Sequence, residues 1–272
     1  MRSLPLIGLC VGLAALMLVL AFFSLRGESS EELVVFAASS LTDAFLDLAD
    51  DFEAQNPGVN VLFNFGGSSS LAAQIREGAP SDIFASANPV QMSRIADSAL
   101  LSEDAHVFAM NRLVVVVPAT NPAGVQTFFD LAKGGVGLVL AARGVPIREY
   151  AELVLELATA DDATAFDFRT AVLENLVSDE DNVRQVVVKV ALNEADAGIV
   201  YQSDVTPDLA DQVTVIAIPD EYNVTASYLI APLTGNSVRN LELARLFVTW
   251  VLSDAGQATL IRYGLSPVDS ST

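Results

Sequence analysis

Two serine-bearing stretches, Ser39-Ser40 and Ser68-Ser69-Ser70, each stand between an apolar run and the start of a helical period. Hydroxyls in that position suit anion chemistry. The first N–H groups of a helix lack intrahelical acceptors, and the helix dipole favours negative charge at that end. A serine there adds an O–H donor to a set of free amides. Apolar residues recur at Leu41, Ala44, Phe45, Leu48 and Phe52, the period of an amphipathic helix. That period places Ser40 at the N-cap, with Asp43 as its capping-box partner. A serine that merely caps a helix would account for one such motif. Its recurrence at Gly66-Gly67-Ser68, where Ser68 takes the place of Ser40, points to a ligand.

Further donors follow along the chain. Pro146 suits the first turn of a helix, where its missing N–H costs nothing, and leaves Ile147 with a free backbone N–H. That helix is expected to run to about Ala158 with Tyr150, Val154 and Leu157 inward. Asp181 and Asn182 supply caps for a helix over residues 183–193, headed by Val183. An apolar run at 197–201 ends in Tyr201, followed by the turn Gln202-Ser203-Asp204.

The elements that must position these donors alternate. Strands are expected at 34–37, 59–65, 82–85, 113–117, 136–140, 197–201, 213–218 and 226–232, with helical patterns between most of them. Alternation of this kind predicts an α/β architecture of open sheets with parallel strands and helices on both faces. In such sheets ligands sit beyond the carboxyl ends of the strands, where the serine turns and Tyr201 fall. The helix at 240–252 carries Leu243, Phe247, Trp250 and Val251 as packing residues.

Composition removes several function classes. Of the 272 residues, 52% are hydrophobic and the net charge is −20, with no basic patch, so nucleic acid is an unsuitable partner. Residues 6–25 form a nearly unbroken apolar run flanked by Arg2 and Arg26, which reads residues 1–27 as a secretory signal or an N-terminal membrane anchor. The bulk of the chain is then extracytoplasmic. The only cysteine, Cys10, lies early inside that run, too early for a lipoprotein acylation site, and leaves the exported part without disulfides or thiolate chemistry. His106 is the only histidine and has no Ser or acid pattern around it, and no Gly-x-Ser-x-Gly elbow occurs. Enzymatic function is therefore not expected, and the absence of a phosphate-binding Gly-x-x-x-x-Gly-Lys-Ser/Thr loop assigns any ATP hydrolysis to a partner. A membrane-anchored sensor would need a cytoplasmic portion, which the five residues ahead of the apolar run do not supply.

Four segments carry a resemblance. Phe36-Ala37-Ala38-Ser39-Ser40-Leu41-Thr42, Gly67-Ser68-Ser69-Ser70-Leu71-Ala72, Gly78-Ala79-Pro80-Ser81-Asp82-Ile83-Phe84 and Gly198-Ile199-Val200-Tyr201-Gln202-Ser203-Asp204 resemble the periplasmic molybdate-binding proteins of ABC transporters. Val145-Pro146 and Asn182-Val183-Arg184 add to the match, which keeps the family's order from about Leu33 to Tyr263-Gly264. The resemblance implies a type II periplasmic-binding-protein fold, two α/β lobes with mostly parallel sheets joined by two hinge strands. Lobe 1 would comprise residues 31–112 plus 229–272 and lobe 2 residues 113–228, with hinges near 111–116 and 222–228. Asn223 stands where a proline is common, which is expected to loosen the second crossing.

The ligand implied is molybdate or tungstate, held by Ser40, Ser68, Ile147, Val183 and Tyr201 without a cofactor or bare metal ion. The implied partners are a membrane permease and its separate ATPase, and the chain is expected to be a monomer. The family usually has a small residue followed by glycine where Ile147-Arg148 stand, so pocket size and charge are open at that point. A sulfate or other tetrahedral oxyanion binder of the same fold is the alternative. Phosphate binders use a carboxylate to accept the ligand's proton, and none stands beside Ser40 or Ser68 in sequence. Iron binders need paired tyrosines, and Tyr201, Tyr222 and Tyr228 are not sequence neighbours.

Overall fold

Continuous apolar runs such as Leu33-Val34-Val35-Phe36 form strands only where both faces are covered. The computed structural model describes residues 31–161, 167–235 and 237–268; the apolar run at 6–25, and with it the signal-or-anchor expectation, lies outside the described residues. Among the described residues no helix is long and apolar enough to cross a membrane.

The strands are β1 (Glu31–Ala38), β2 (Val59–Gly66), β3 (Ile83–Ser86), β4 (His106–Pro118), β5 (Leu138–Ala141), β6 (Leu176–Glu180), β7 (Ala197–Tyr201), β8 (Val213–Ala217) and β9 (Thr225–Pro232). They hydrogen-bond in the order β2-β1-β3-β9-β4-β7-β5-β6, with β8 also on β4. Both flanks are parallel, β2-β1-β3 on one side and β7-β5-β6 on the other. The antiparallel pairs gather in the middle, around β4 and β9.

β4 links the two flanks. Its first half, to Arg112, pairs with β9, whereas from Leu113 it pairs with β7 and β8. The chain passes back between β8 and β9, and Asn223 lies on that return. Its Oδ1 accepts from Leu113 N at 3.3 Å and its Nδ2 donates to Leu113 O at 2.9 Å. Asn223 therefore ties the return to β4 and does not loosen it. A proline would offer neither bond.

The helices are α1 (Thr42–Gln55), α2 (Ser68–Arg76), α3 (Pro89–Asp97), α4 (Pro146–Ala160), α5 (Phe168–Leu173), α6 (Val183–Ala191), α7 (Val238–Leu252) and α8 (Asp254–Arg262). Their apolar faces close on the sheet. Phe45 and Phe52 of α1 meet Phe247 of α7 edge-on, with ring centroids 6.2 and 5.2 Å apart. Each such buried ring is worth about 1.5–3 kcal/mol of transfer energy. In α4 the inward residues include Ile147, Val154, Leu155 and Ala158, whereas Leu157 is exposed, one step off the expected stripe. α5 and β6 were not anticipated. The β6 sequence Leu-Val-Ser-Asp-Glu is a short, half-polar edge strand without the alternation or apolar run that marks a strand. His106 opens β4 with its side chain exposed and takes no part in the interior.

Candidate functional site

Six strands end at one place. Beyond β1, β2 and β3 come Ser39-Ser40, Gly67-Ser68 and Ala87; beyond β5 and β6 come Val145-Pro146-Ile147 and Val183, and β7 ends in Tyr201. All of these line one small cleft, and none of its lining residues is charged. The five residues singled out from the sequence, Ser40, Ser68, Ile147, Val183 and Tyr201, are thereby brought together. The two flanks approach closely here. A Cβ on Gly67 would lie 2.7 Å from the Asp181 carbonyl oxygen, so only glycine permits this separation.

The serines reach the cavity in a different local geometry from the one expected. Residues Ser39–Leu41 form a 3₁₀ turn and α1 begins only at Thr42, so Ser40 is not an N-cap and Asp43 is not its capping partner. Ser40 Oγ shares a 2.9 Å hydrogen bond with Tyr228 Oη instead. Asp43 pairs with Arg184, at the head of α6. Ser68 is the first residue of α2, with Gly67 at the N-cap, and its Oγ accepts from Ala87 N at 3.1 Å. A hydroxyl whose oxygen already accepts a protein donor still has its own hydrogen to give.

Backbone donors come from two helix starts. Pro146 heads α4 and has no N–H, so Ile147 carries the first amide of that helix. Val183 heads α6, where Asn182 caps by accepting from Gln185 N at 3.2 Å and leaves the Val183 amide unused by the cap. Arg148 does not intrude on the cavity. Its buried guanidinium turns to Glu152 Oε1 (2.8 Å), Asp179 Oδ1 (2.6 Å) and Ala141 O (3.0 Å), tying the first turn of α4 to β5 and β6.

Tyr201 is the unsatisfied member. Its Oη is buried and has no hydrogen-bond partner among the described residues, a cost of about 1–3 kcal/mol unless something else meets it. Burial, reinforced by Tyr228, holds its phenol well above the usual range, so it remains an O–H donor. Asp204 lies behind it, accepting from Tyr201 N at 3.0 Å through Oδ2 while Oδ1 is buried and unpartnered. Burial pushes the Asp204 carboxyl up to about 7, with Arg184 partly opposing the shift. Asp204 does not line the cavity. Next to Ala87, Asn88 Nδ2 donates to Glu149 Oε2 at 2.9 Å, and desolvation raises the Glu149 carboxyl.

Sequence reasoning missed Tyr228, Asn111 and Asp204 as parts of the site or its support. Tyr228 is 188 residues from Ser40, and no local pattern announces that pairing. The same distance in sequence hid a tyrosine pair, for the Tyr201 and Tyr228 rings lie 5.6 Å apart. Both phenols are held neutral by burial, and the described residues include no cluster of three His, Cys, Asp or Glu side chains suited to a metal ion. That is a poor setting for iron, which needs anionic ligands.

Residues 33–266 match the family described as bacterial extracellular solute-binding protein. The chain is 37% identical over 271 residues to the molybdate-binding protein ModA of Mycobacterium tuberculosis, across 96% of this chain and 98% of that one. Among solved structures, the periplasmic molybdate-binding protein of Azotobacter vinelandii superposes with a TM-score of 0.71 at 19% identity, covering 87% of this chain and 100% of that one. The sulfate-binding protein SubI of M. tuberculosis superposes at 0.80 with 17% identity, covering 89% and 88%. At those identities the two structures speak for the fold alone.

Proposed function

The chain belongs to the bacterial extracellular solute-binding protein family and has the type II periplasmic-binding fold, and from that premise we propose that it captures molybdate in the cavity at the strand ends. Ser40 and Ser68 would donate O–H groups, Ile147 and Val183 backbone N–H groups, and Tyr201 its phenolic O–H. Residues 31–112 plus 229–272 would form one lobe and residues 113–228 the other, closing on the anion about the crossings near 111–116 and 222–228. Tungstate, which matches molybdate in charge and shape, would enter the same site. The protein would act outside the cytoplasm as a monomer and pass its cargo to a membrane permease driven by a separate ATPase. It would make and break no covalent bond, and residues 6–25 would serve as an export signal or an anchor.

The observation that carries this reading is the buried, unpartnered Tyr201 hydroxyl, aimed into a cavity whose lining holds donors and no carboxylate. A tetrahedral dianion offers only acceptors, so a site of donors satisfies it, while a nearby carboxylate would repel it. Hydrogen bonds to a charged group are worth about 1.5–3 kcal/mol each, and five of them reach micromolar affinity or better after the cost of association.

Melting the protein separately with molybdate, tungstate, sulfate and phosphate tests the reading. Ligand at a hundred times its dissociation constant adds about 2.7 kcal/mol of stability. The expected result is a large shift with molybdate and tungstate and a small one with sulfate and phosphate. Equal shifts with all four would remove the assignment, and a shift with sulfate alone would replace it.

A further inference from the structure

Residues 86–91, from the end of β3 into the first turn of α3, touch both flanks of the sheet. Ala87 N donates to Ser68 Oγ at 3.1 Å on their own flank. The two buried amide side chains that follow, Asn88 (2% exposed) and Gln91 (0%), reach the other one. A donor-only partner fixes which way each amide points. Asn88 Oδ1 accepts from Gln91 N at 3.0 Å, capping α3, so Nδ2 is the end that donates to Glu149 Oε2 at 2.9 Å. Gln91 Oε1 accepts from Arg94 Nη1 at 3.1 Å, so Nε2 is the end that donates to Gly144 O at 3.3 Å. Ser86 holds Asn88 in place, its Oγ donating to Asn88 O at 2.8 Å and accepting from Asn88 N at 3.3 Å. Gly144 and Glu149 stand on either side of Ile147 in the chain. The two contacts thus bracket the head of α4 and the amide it offers to the cleft.

We infer that Asn88 and Gln91 are positioning residues that clasp the head of α4 and set how long a captured anion stays. This rests on the proposed anion-capture reading and adds to it a control of release by side chains that do not line the cleft. One short segment serves both walls. Ala87 holds the Ser68 hydroxyl, while Asn88 and Gln91 hold the helix that carries Ile147. When the flanks part, each bond across the gap is exchanged for one to water, so the clasp adds little to the unliganded protein. It acts on departure, because the anion leaves only after both bonds are broken. Arrival comes before they form, and so escapes their effect. The Asn88 bond, with a carboxylate as acceptor, is the stronger of the two.

Glu149→Ala removes the acceptor that faces Asn88, Glu149→Gln restores one, and Gln91→Leu removes the donor that faces Gly144 at nearly constant volume. Rapid filtration with radiolabelled molybdate reads association and release, and melts are recorded with and without the anion. We expect release to quicken about tenfold in Glu149→Ala and several-fold in Gln91→Leu, with the two effects multiplying in the double variant. Glu149→Gln should recover most of the wild-type rate. Association should be unchanged, and so should the melting temperature without anion. A merely structural role would lower the melting temperature equally with and without anion and leave release unaltered. Release at the wild-type rate in folded Glu149→Ala and Gln91→Leu, or an equal loss of stability in both melts, would overturn the inference while leaving anion capture standing. If the unaltered protein takes sulfate in place of molybdate, the molybdate reading fails, and the same variants decide the inference with radiolabelled sulfate. If it takes neither anion, the capture reading fails and the clasp goes with it.

Discussion

Ser40 and Ser68 occupy the same cavity but are held differently, and their removal should be felt differently. Ser68 Oγ is the acceptor for the Ala87 amide, which is buried, so Ser68→Ala should lower both anion affinity and stability, the latter by about 1–3 kcal/mol. Ser40 contacts the buried Tyr228 hydroxyl, which keeps Asn111 only as a donor to it, so Ser40→Ala should cost affinity together with a smaller share of stability. Urea melts with and without molybdate separate the two effects, and the double variant should show no ligand-induced shift. Gly67→Ala is a third case. Its Cβ would meet the Asp181 carbonyl at 2.7 Å and force the two cavity walls apart. We expect molybdate binding weakened by roughly tenfold or more, the worth of one charge-assisted hydrogen bond. Calorimetric titration would show it, and wild-type affinity would mean that the walls need not approach so closely.

Among the elements, α4 depends on Arg148. Its guanidinium holds the first turn of the helix, and hence the Ile147 amide, against β5 and β6. Arg148→Met should cost about 2 kcal/mol, since it leaves the buried Ala141 carbonyl and Asp179 without their donor, tempered by the half-exposure of Asp179 and by Arg169, which still pairs with Glu152. The turn after β7 carries Asp204, whose carboxyl is pushed up from an ordinary 3.8 to about 7 by burial. The folded chain therefore keeps a proton that the unfolded chain has lost, and this group makes stability decline as pH rises from about 4 to about 7. A bound dianion nearby would raise the carboxyl further, so binding takes up a proton and affinity should fall as pH rises through about 7. Asp204→Asn should flatten that profile, and an unflattened one would assign the dependence to another group.

For the whole molecule, the net charge of −20 works against capture at a distance while the neutral donors work for it at contact. Charges are screened beyond about 8–10 Å at physiological ionic strength. The association rate for molybdate should therefore rise with salt, opposite to electrostatically steered encounters, and stopped-flow measurement at several salt concentrations would show the slope. Loss of rate with added salt would point to a local positive field that the cavity lining does not suggest. At this scale too, Asp43 to Arg184 and Asn88 to Glu149 join the segments after β1 and β3 to the heads of α6 and α4.

The alternation of strands and helices, and the residues that meet at the strand ends, could be read from local pattern, because caps, prolines and apolar runs act over a few residues. The resemblance supplied the fold and the identity of the cargo in the same local terms. Contacts between distant residues were not legible. Tyr228 reaching Ser40, Asn223 tying Leu113, Arg148 turning away from the cavity and the tyrosine pair beside it all join positions that only the sheet order brings together. Sequence marks which groups can donate, since that follows from residue type and helix position. Which of those groups already have a partner, and so which way each hydroxyl points its hydrogen, depends on neighbours dozens to hundreds of residues away, and only the tertiary structure decides it.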